Sequence, residues 1–253
     1  MRHLSRANWL GWIGLLALTV AACVATSGAA VAQDITLSVG EGGSLATRTI
    51  QVFVLVTVLS LVPGLAVMVT CFPFIVTVLS ILRQAIGLQQ SPPNMLIISL
   101  ALFLTYFIME PVFLEAWTKG GQPFSDGVLE VEPAFMAAID PFRVFMAARI
   151  DPETFEHLAA LREQTAGTVI GNDAPLSLLV PSFLLSEVER AFQIGFLVFL
   201  PFLVIDLVVA AILMSMGMMM VPPAIVSLPF KLAFFVVADG WTLISGALVR
   251  SYF

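Results

Sequence analysis

An apolar run without a single charged residue extends from Ile50 to Leu82. About 20 apolar residues suffice for a straight helix to cross the hydrocarbon core of a bilayer, so this run exceeds one crossing. It contains Pro63-Gly64 and Pro73, and proline bends or breaks a helix because its ring removes a backbone donor and crowds the preceding turn. The run therefore predicts a membrane helix that is overlong and bent at these prolines.

Three more apolar runs follow, and turns rich in glycine and proline join the four runs in pairs. Of all residues, 59% are hydrophobic and only 11% are charged, less than half the charged fraction of a typical soluble domain. The sequence therefore predicts an all-α integral membrane protein with two long helical hairpins, about four proline-bent apolar helices in total. The first hairpin covers residues 50–117 with its turn at 87–94. The second covers residues 190–253 with a methionine-rich loop at 214–221.

Residues 118–189, between the two hairpins, differ in composition, because acidic side chains outnumber basic ones there and apolar residues are scattered. The stretch from Asp151 to Thr165 begins with acidic residues and then repeats apolar residues at helical spacing, which indicates an amphipathic helix. This segment is predicted to be a small, mainly helical domain that faces water. The net charge of −6 argues against nucleic-acid binding, which selects basic surfaces.

The first 32 residues have the pattern of a cleavable signal peptide, with two arginines, an apolar core and small residues before a cleavage point after Ala32. A rival site would place a lipid on Cys23, because "VAAC" resembles a lipoprotein box, and the sequence leaves both sites open. In either case the mature N-terminus is predicted to be periplasmic and to continue into a leader at residues 33–49. Both double-proline turns then face the cytoplasm, and residues 118–189 form a periplasmic domain.

Four ionisable side chains lie within the predicted membrane helices: Glu110, Asp206, Lys231 and Asp239. Such groups are costly in a bilayer and usually face protein or water rather than lipid. A proton or ion relay is one interpretation. Pairing across helix or subunit interfaces is favoured, because four scattered charges do not make a continuous relay. Lys231 and Asp239 are about two turns apart, so they are expected to share a helix face without bonding each other.

Motifs for catalysis or cofactor binding are absent from the sequence. It contains no glycine-rich phosphate loop, no His-Glu metal pair and no Ser-Lys dyad in a plausible context. Its two cysteines and two histidines are too few and too far apart along the chain for a standard metal cluster. The sequence therefore predicts no enzymatic activity, no catalytic residue, no metal and no cofactor.

A dense group of methionines follows the third apolar run. The group consists of Met214, Met216, Met218, Met219 and Met220. Three interpretations compete: apolar filler, a copper(I) site and a deformable seal. Thioethers suit copper(I), but neither Cys nor His lies nearby along the chain, and a seal is favoured because methionine repacks without leaving voids. Gly217, Pro222 and Pro223 weaken helicity, which indicates a movable loop with these residues as its hinge.

Two long segments, "LRQAIGLQQSPPNMLIISLALFLTYFIMEPVF" and "FQIGFLVFLPFLVIDLVVAAILMSMGMMMVPPAIVSLPF", resemble the FliP family of type III secretion export gate proteins, in its flagellar branch. The resemblance implies a non-enzymatic, pore-forming subunit of a homo-oligomer, a pentameric ring with FliQ, FliR and other membrane proteins of the export apparatus as partners. It also implies a multi-pass protein of the bacterial inner membrane, in the flagellar basal body, that passes unfolded rod, hook and filament subunits. Two alternatives stay open, a virulence-type (injectisome) gate subunit and a methionine-rich transporter of copper or another small solute.

The same resemblance implies roles for individual residues. The family's methionine-rich loop lines the pore constriction, which corresponds here to the five methionines between Met214 and Met220, without assigning single side chains to the lumen. One motif departs from the family. Where Ser-Phe-x-Arg-Ile is common, this chain reads "TCFPFIV", with Pro73 and Phe74. The exchange removes a cation and adds a bend, so an acidic partner such as Glu110 is expected to have a different neighbour.

Overall fold

The structure, a computed structural model, describes residues 45–88, 91–218 and 220–253. The chain divides into two compact units, Met1–Val54 and Leu55–Phe253. The described residues form nine α-helices and no strand. The helices are α1 (Leu45–Met68), α2 (Phe72–Ile86), α3 (Asn94–Ala116), α4 (Gln122–Ser125), α5 (Val131–Arg149), α6 (Pro152–Ala160), α7 (Leu176–Ser215), α8 (Pro223–Val237) and α9 (Gly240–Arg250).

Three predicted features of the N-terminal region lie outside the described residues: the signal peptide at 1–32, the competing lipidation at Cys23 and the first part of the leader at 33–49. The rest of that leader differs from the prediction, because α1 already begins at Leu45. Its first turn includes Thr47 and Arg48, and a long apolar stretch follows.

Two helices are long and apolar enough to cross a membrane. One is α7, and the other runs from Asn94 to Ser125, because α3 continues through a π-helical turn at Trp117–Gly121 into α4. Two bent pairs, α1 with α2 and α8 with α9, also qualify when each counts as one span, which gives up to four spans among the described residues. The prediction of an all-α membrane protein is confirmed.

The bend between α1 and α2 lies just before Pro73 and turns the chain by 64°. Pro73 occupies the first turn of α2, where its missing backbone donor costs no helical hydrogen bond. Pro63, the other predicted bend, lies inside the continuous helix α1. Proline in a helix interior removes a hydrogen bond without always ending the helix, so only Pro73 marks a break.

A second break, of 61°, separates α8 from α9 and contradicts one prediction. Asp239 has a left-handed backbone with a φ of 48°, so Lys231 and Asp239 do not share a face of one continuous helix. The next residue, Gly240, lies so close to the Phe235 ring that a methyl group at this position would overlap it. Only glycine permits this approach, and the contact supports the angle between the two helices.

The boundary predicted at residue 189 falls inside α7, which is continuous from Leu176 to Ser215. The segment predicted to face water therefore contributes α4, α5, α6 and the first part of α7. The helix continues because Leu179, Phe183 and Ala191 recur at helical spacing and are all buried, so one apolar face extends across the composition change.

Helix α2 is the centre of the larger hydrophobic core. Its buried residues are Phe74, Ile75, Val78, Leu79, Leu82, Ala85 and Ile86. It packs against α3, α7 and α8, and at the contact with α7 a methyl group on Gly195 would overlap Ile81. Within α2 only Gln84 is exposed, so this apolar helix is covered by protein. A smaller core lies between α5, α6 and the start of α7 and includes Phe155 and Phe183.

The carboxyl end of α2 lies beside α8. A side chain added at Gly87, just after α2, would meet Leu228 of α8 at 3.6 Å, and Lys231 of α8 reaches the Ala85 carbonyl. The turn after α2 and the turn before α8 therefore lie toward the same end of the second unit. Two membrane hairpins with the same orientation would have their turns arranged in this way.

Candidate functional site

The methionine turn, residues 214–221, begins on the last turn of α7. The Gly217 amide donates to the Met214 carbonyl at 3.0 Å, and the Met218 amide donates to the Leu213 carbonyl at 3.0 Å. This pair of bonds is typical of a helix that ends at a glycine with left-handed backbone, and Gly217 has a φ of 73°. Backbone hydrogen bonds therefore fix the first part of the turn, up to Met218.

The methionine side chains described in this turn are exposed: Met214 by 62%, Met216 by 67%, Met218 by 42% and Met220 by 95%. Met216 and Met218 also line an apolar groove of about 520 Å³ between α7 and α8. The other residues that line it are Val204, Ile205, Val208, Val209, Ile212, Leu213, Val226 and Phe230. The turn thus presents a soft apolar surface, and Met219, the fifth methionine, lies outside the described residues.

Two of the four predicted intramembrane ionisable residues form an ion pair. Lys231 Nζ lies 2.6 Å from Asp206 Oδ2 and donates to the Ala85 carbonyl at 3.1 Å, while Ser227 Oγ donates to Asp206 Oδ1 at 2.6 Å. The side chain of Lys231 is 7% exposed and that of Asp206 is 30% exposed. The pair joins α7 to α8, and Lys231 joins both to the carboxyl end of α2, where helix carbonyls attract a cation.

Glu110 and Asp239 do not belong to this pair. Glu110 is exposed on α3. Asp239 is exposed at the α8–α9 break, where its Oδ1 accepts a hydrogen bond from Thr242 Oγ1 at 3.1 Å. The structure brings Asp206 and Lys231 together and leaves the two other carboxylates apart, which fits a structural role for the pair. That role stays a prediction.

A second buried charged cluster was not predicted from the sequence. Glu187 of α7 is fully buried, and its Oε1 accepts a hydrogen bond from Arg149 Nε at 3.0 Å. Its Oε2 accepts from the Tyr252 hydroxyl, and Arg149 Nη1 donates to the Ser251 carbonyl at 2.8 Å. The Arg149 guanidinium lies 4.0 Å from the centre of the Tyr252 ring, within cation–π range. The cluster ties α5 and α7 to the residues that follow α9.

Tyr252 acts as a donor in this cluster because it stays protonated. Burial raises the pKa of its phenol well above the usual range, and the neighbouring Glu187 carboxylate raises it further, since both disfavour a phenolate. Arg149 Nη2 is buried and has no hydrogen-bond partner among the described residues. A neutral phenol and a cationic guanidinium thus share the two oxygens of one carboxylate.

The helical periodicity of α7 is the sequence signal that identifies Glu187. Leu179, Phe183, Glu187 and Ala191 recur every four residues and are all buried, which places the carboxylate on the core face of the helix. Composition hides this signal, because Glu187 belongs to the acidic segment 118–189, which is predicted to face water.

Phe74 stands where the resembling family commonly has arginine, and it is fully buried in the core. Its ring meets the Tyr252 ring edge-on, with 5.6 Å between centroids. Tyr252 in turn bonds Glu187, whereas Glu110 is exposed on α3. The acidic residue connected to this position is therefore Glu187, through Tyr252, rather than Glu110.

Together these features define a multi-helix membrane protein that has up to four spans, buried ion pairs between its helices and a methionine turn at one hairpin. Comparison with known sequences identifies the family within this class of membrane proteins. The model of the FliP family matches residues 55–248, and the chain belongs to that family.

Individual relatives agree with this assignment, and each of the three that follow is named flagellar biosynthetic protein FliP. The protein of Caulobacter vibrioides is 48% identical over 239 residues, which cover 93% of this chain and 88% of the relative. That of Agrobacterium fabrum is 46% identical over 241 residues, 93% of this chain and 98% of the relative. That of Bacillus subtilis is 44% identical over 209 residues, 81% of this chain and 93% of the relative. The resemblance to the family seen in the sequence motifs is confirmed.

Proposed function

We propose that this protein is a non-enzymatic, pore-forming subunit of the flagellar type III protein export gate. The match to the FliP family over residues 55–248 carries the proposal, and the relatives named flagellar biosynthetic protein support it. In this role the protein passes unfolded rod, hook and filament subunits during flagellum assembly. The flagellar names of the relatives favour this branch over a virulence-type gate.

Apolar surface that the chain leaves uncovered supports assembly into a larger complex. Only 17% of the most apolar stretch of α7 is buried within the chain, and α1 and α3 expose Leu59, Phe103 and Phe107. Lipid or neighbouring subunits cover such surface in membrane proteins. We propose a homo-oligomer, a pentameric ring, with FliQ, FliR and other membrane proteins of the export apparatus as further partners.

The candidate spans and the predicted signal peptide support a location in the bacterial inner membrane, within the flagellar basal body. In this arrangement residues 118–189 lie in the periplasm after a leader at 33–49, and both double-proline turns face the cytoplasm. The position of these turns toward one end of the second unit agrees with that orientation.

The methionine turn is proposed as the seal of the pore, with Gly217, Pro222 and Pro223 as its hinge. Its described thioethers are exposed, and its backbone is held by hydrogen bonds that do not involve them. In a ring of copies, Met214, Met216, Met218, Met219 and Met220 form a band of flexible, polarizable groups. Such side chains repack around different shapes without leaving voids, which suits a gate that must close around an unfolded chain.

A deletion strain complemented with the wild-type gene tests the proposed function. The deletion is expected to abolish filaments and motility, and the tagged protein is expected to purify in a large complex with two small membrane proteins. Normal filaments in the deletion strain would contradict the proposal. Reduced copper tolerance with intact flagella would support the transporter alternative instead.

A further inference from the structure

The methionines of this protein differ sharply in their access to water. Met109 and Met146 lie in the two cores and are 0% and 1% exposed. The four described methionines of the turn are exposed by 42% to 95%, and they are close together along the chain. Met95, at the start of α3, is 79% exposed but has no second methionine close to it in sequence. The turn is therefore the one place among the described residues where exposed sulfur atoms are concentrated.

The backbone conformation at the start of the turn does not depend on its sulfur atoms, so a chemical change at sulfur can leave that conformation intact. The bonds from the Gly217 and Met218 amides to α7 carbonyls fix the end of the helix, and no thioether takes part in them. Met216 and Met218 contact an apolar groove instead. A change in side-chain polarity would therefore alter the apolar surface and leave the turn in place.

We propose that the methionine turn is an oxidation site at which hydrogen peroxide loosens the seal. A sulfur lone pair attacks one peroxide oxygen, the S–O bond forms as the O–O bond breaks, and the second oxygen leaves as water after proton transfer. Sulfur is oxidised by two electrons and the peroxide is reduced by two. Both the access of peroxide to the turn in the assembled complex and the effect on conductance rest on the proposed role of the turn as a pore-lining seal.

Oxidation is expected to reverse the character of the turn. A sulfoxide is polar and accepts hydrogen bonds, while the groove beside Met216 and Met218 has only aliphatic and aromatic neighbours to offer. An unpaired polar group in an apolar environment is unfavourable, so the oxidised side chains turn toward water and leave the closed arrangement. Water then enters the constriction, and ions follow it.

The first experiment maps the modification in the full-length protein within its membrane complex. The complex is treated with hydrogen peroxide, and sulfoxide at each methionine is quantified by peptide mass spectrometry over time. The methionine turn is expected to react at least about tenfold faster than Met109 and Met146, because oxidation follows exposure. Equal rates at the turn and at the buried pair would overturn the proposal.

The second experiment measures ion conductance of vesicles that contain the complex. Wild type is expected to gain conductance after peroxide and to lose the gain after methionine sulfoxide reductase with a thiol reductant. A variant with leucine in place of the methionines of the turn keeps an apolar side chain of similar volume and is expected not to respond. The control Met95→Leu is expected to respond like wild type. Reversal by the reductase needs no variant, so the test holds even if the leucine variant fails to assemble.

The outcomes separate the oxidation site from the seal. Sulfoxides at the turn without a conductance change, in vesicles where alanine variants of the turn leak, would overturn oxidative opening and leave the seal in place. If alanine variants do not leak either, the seal itself is contradicted and oxidative opening falls with it. A peroxide response that persists in the leucine variant would place the sensitive group elsewhere and overturn the proposal.

Discussion

Each of two carboxylates on α7, the half-buried Asp206 and the fully buried Glu187, accepts hydrogen bonds from two side chains. A charge that leaves water is costly unless partners satisfy it, and the loss of one partner leaves the other uncompensated. The pair with Lys231 fixes α7 against α8, and the pair with Arg149 fixes α7 against α5. These contacts specify how helices with otherwise uniform apolar surfaces meet.

Lys231→Ala is expected to lower the free energy of unfolding by about 3 kcal/mol, because Asp206 loses its cation. The double variant Asp206→Ala/Lys231→Ala is expected to lose less than the sum of the single changes, and unfolding in detergent followed by circular dichroism gives the coupling. Lys119→Ala is the control, since its pair with Glu115 is exposed and contributes little. Equal effects of the Lys231 and Lys119 changes would contradict a stabilising role for the buried pair.

Tyr252→Phe removes the hydroxyl that donates to Glu187 and keeps the ring. The buried carboxylate then lacks one donor, which is expected to cost about 1–3 kcal/mol of unfolding free energy. The chain's other tyrosine offers a matched control, because Tyr106 is 61% exposed and Tyr106→Phe is expected to change stability little. The thermal unfolding midpoints of the two variants are compared in the same detergent. Equal midpoints would contradict a stabilising role for the hydrogen bond from the Tyr252 hydroxyl to Glu187.

Helix by helix, the apolar pattern predicts the spans but not every break. The bend between α1 and α2 is predictable, because Pro73 stands at it in the sequence. The α8–α9 break at Asp239 is not predictable in this way, because it depends on a contact between Gly240 and the Phe235 ring. The same limit applies to the site. The methionine turn is visible in the sequence, but the pairing of Asp206 with Lys231 requires the packing of α7 on α8. The acidic composition of residues 118–189 predicts that Glu187 faces water, whereas the helical periodicity of α7 places it on the buried face.

Gly240→Ala is expected to disturb the α8–α9 break, because the added methyl group would overlap the Phe235 ring and one of the two must move. Gly246→Ala lies on the same helix with its nearest neighbour at 3.9 Å, so it is expected to be neutral or slightly stabilising. Yield of the assembled complex and its thermal stability measure both. Equal behaviour of the two variants would show that the Phe235 contact does not hold the break.

In the described part of the chain, two ion pairs lie between helices while many large apolar side chains stay exposed, and this exposure is the opposite of the arrangement in a soluble protein. Asp206, Lys231, Arg149 and Glu187 are shielded, whereas α1, α3, α7 and the methionine turn present apolar surface. We expect such a chain to reach its working form only among lipids and the proposed partner subunits. The proposed seal is therefore a property of the proposed ring, and its test must be made on the assembly.

Replacing Met216, Met218, Met219 and Met220 together by alanine is expected to raise ion leak more than it lowers subunit export. Truncation leaves gaps in the proposed seal that neighbouring atoms do not fill, while a wider constriction still admits an unfolded chain. Membrane conductance and secreted hook protein are measured in the same strain. Met95→Ala serves as the control with one exposed methionine removed elsewhere. Unchanged conductance in an assembled complex would contradict the seal.

The covered position of α2 has a consequence for the order of synthesis. Its neighbours α7 and α8 begin at Leu176 and Pro223, so the ribosome releases α2 long before they exist. A helix of such apolar composition is expected to be stable in lipid before its neighbours are synthesised, because lipid and packed protein both cover an apolar helix surface. When α7 is made, Gly195 leaves room for Ile81, and protein replaces the lipid around α2. We therefore expect the same apolar run to serve in two environments in succession, first as an inserted helix and then as the core of the finished subunit.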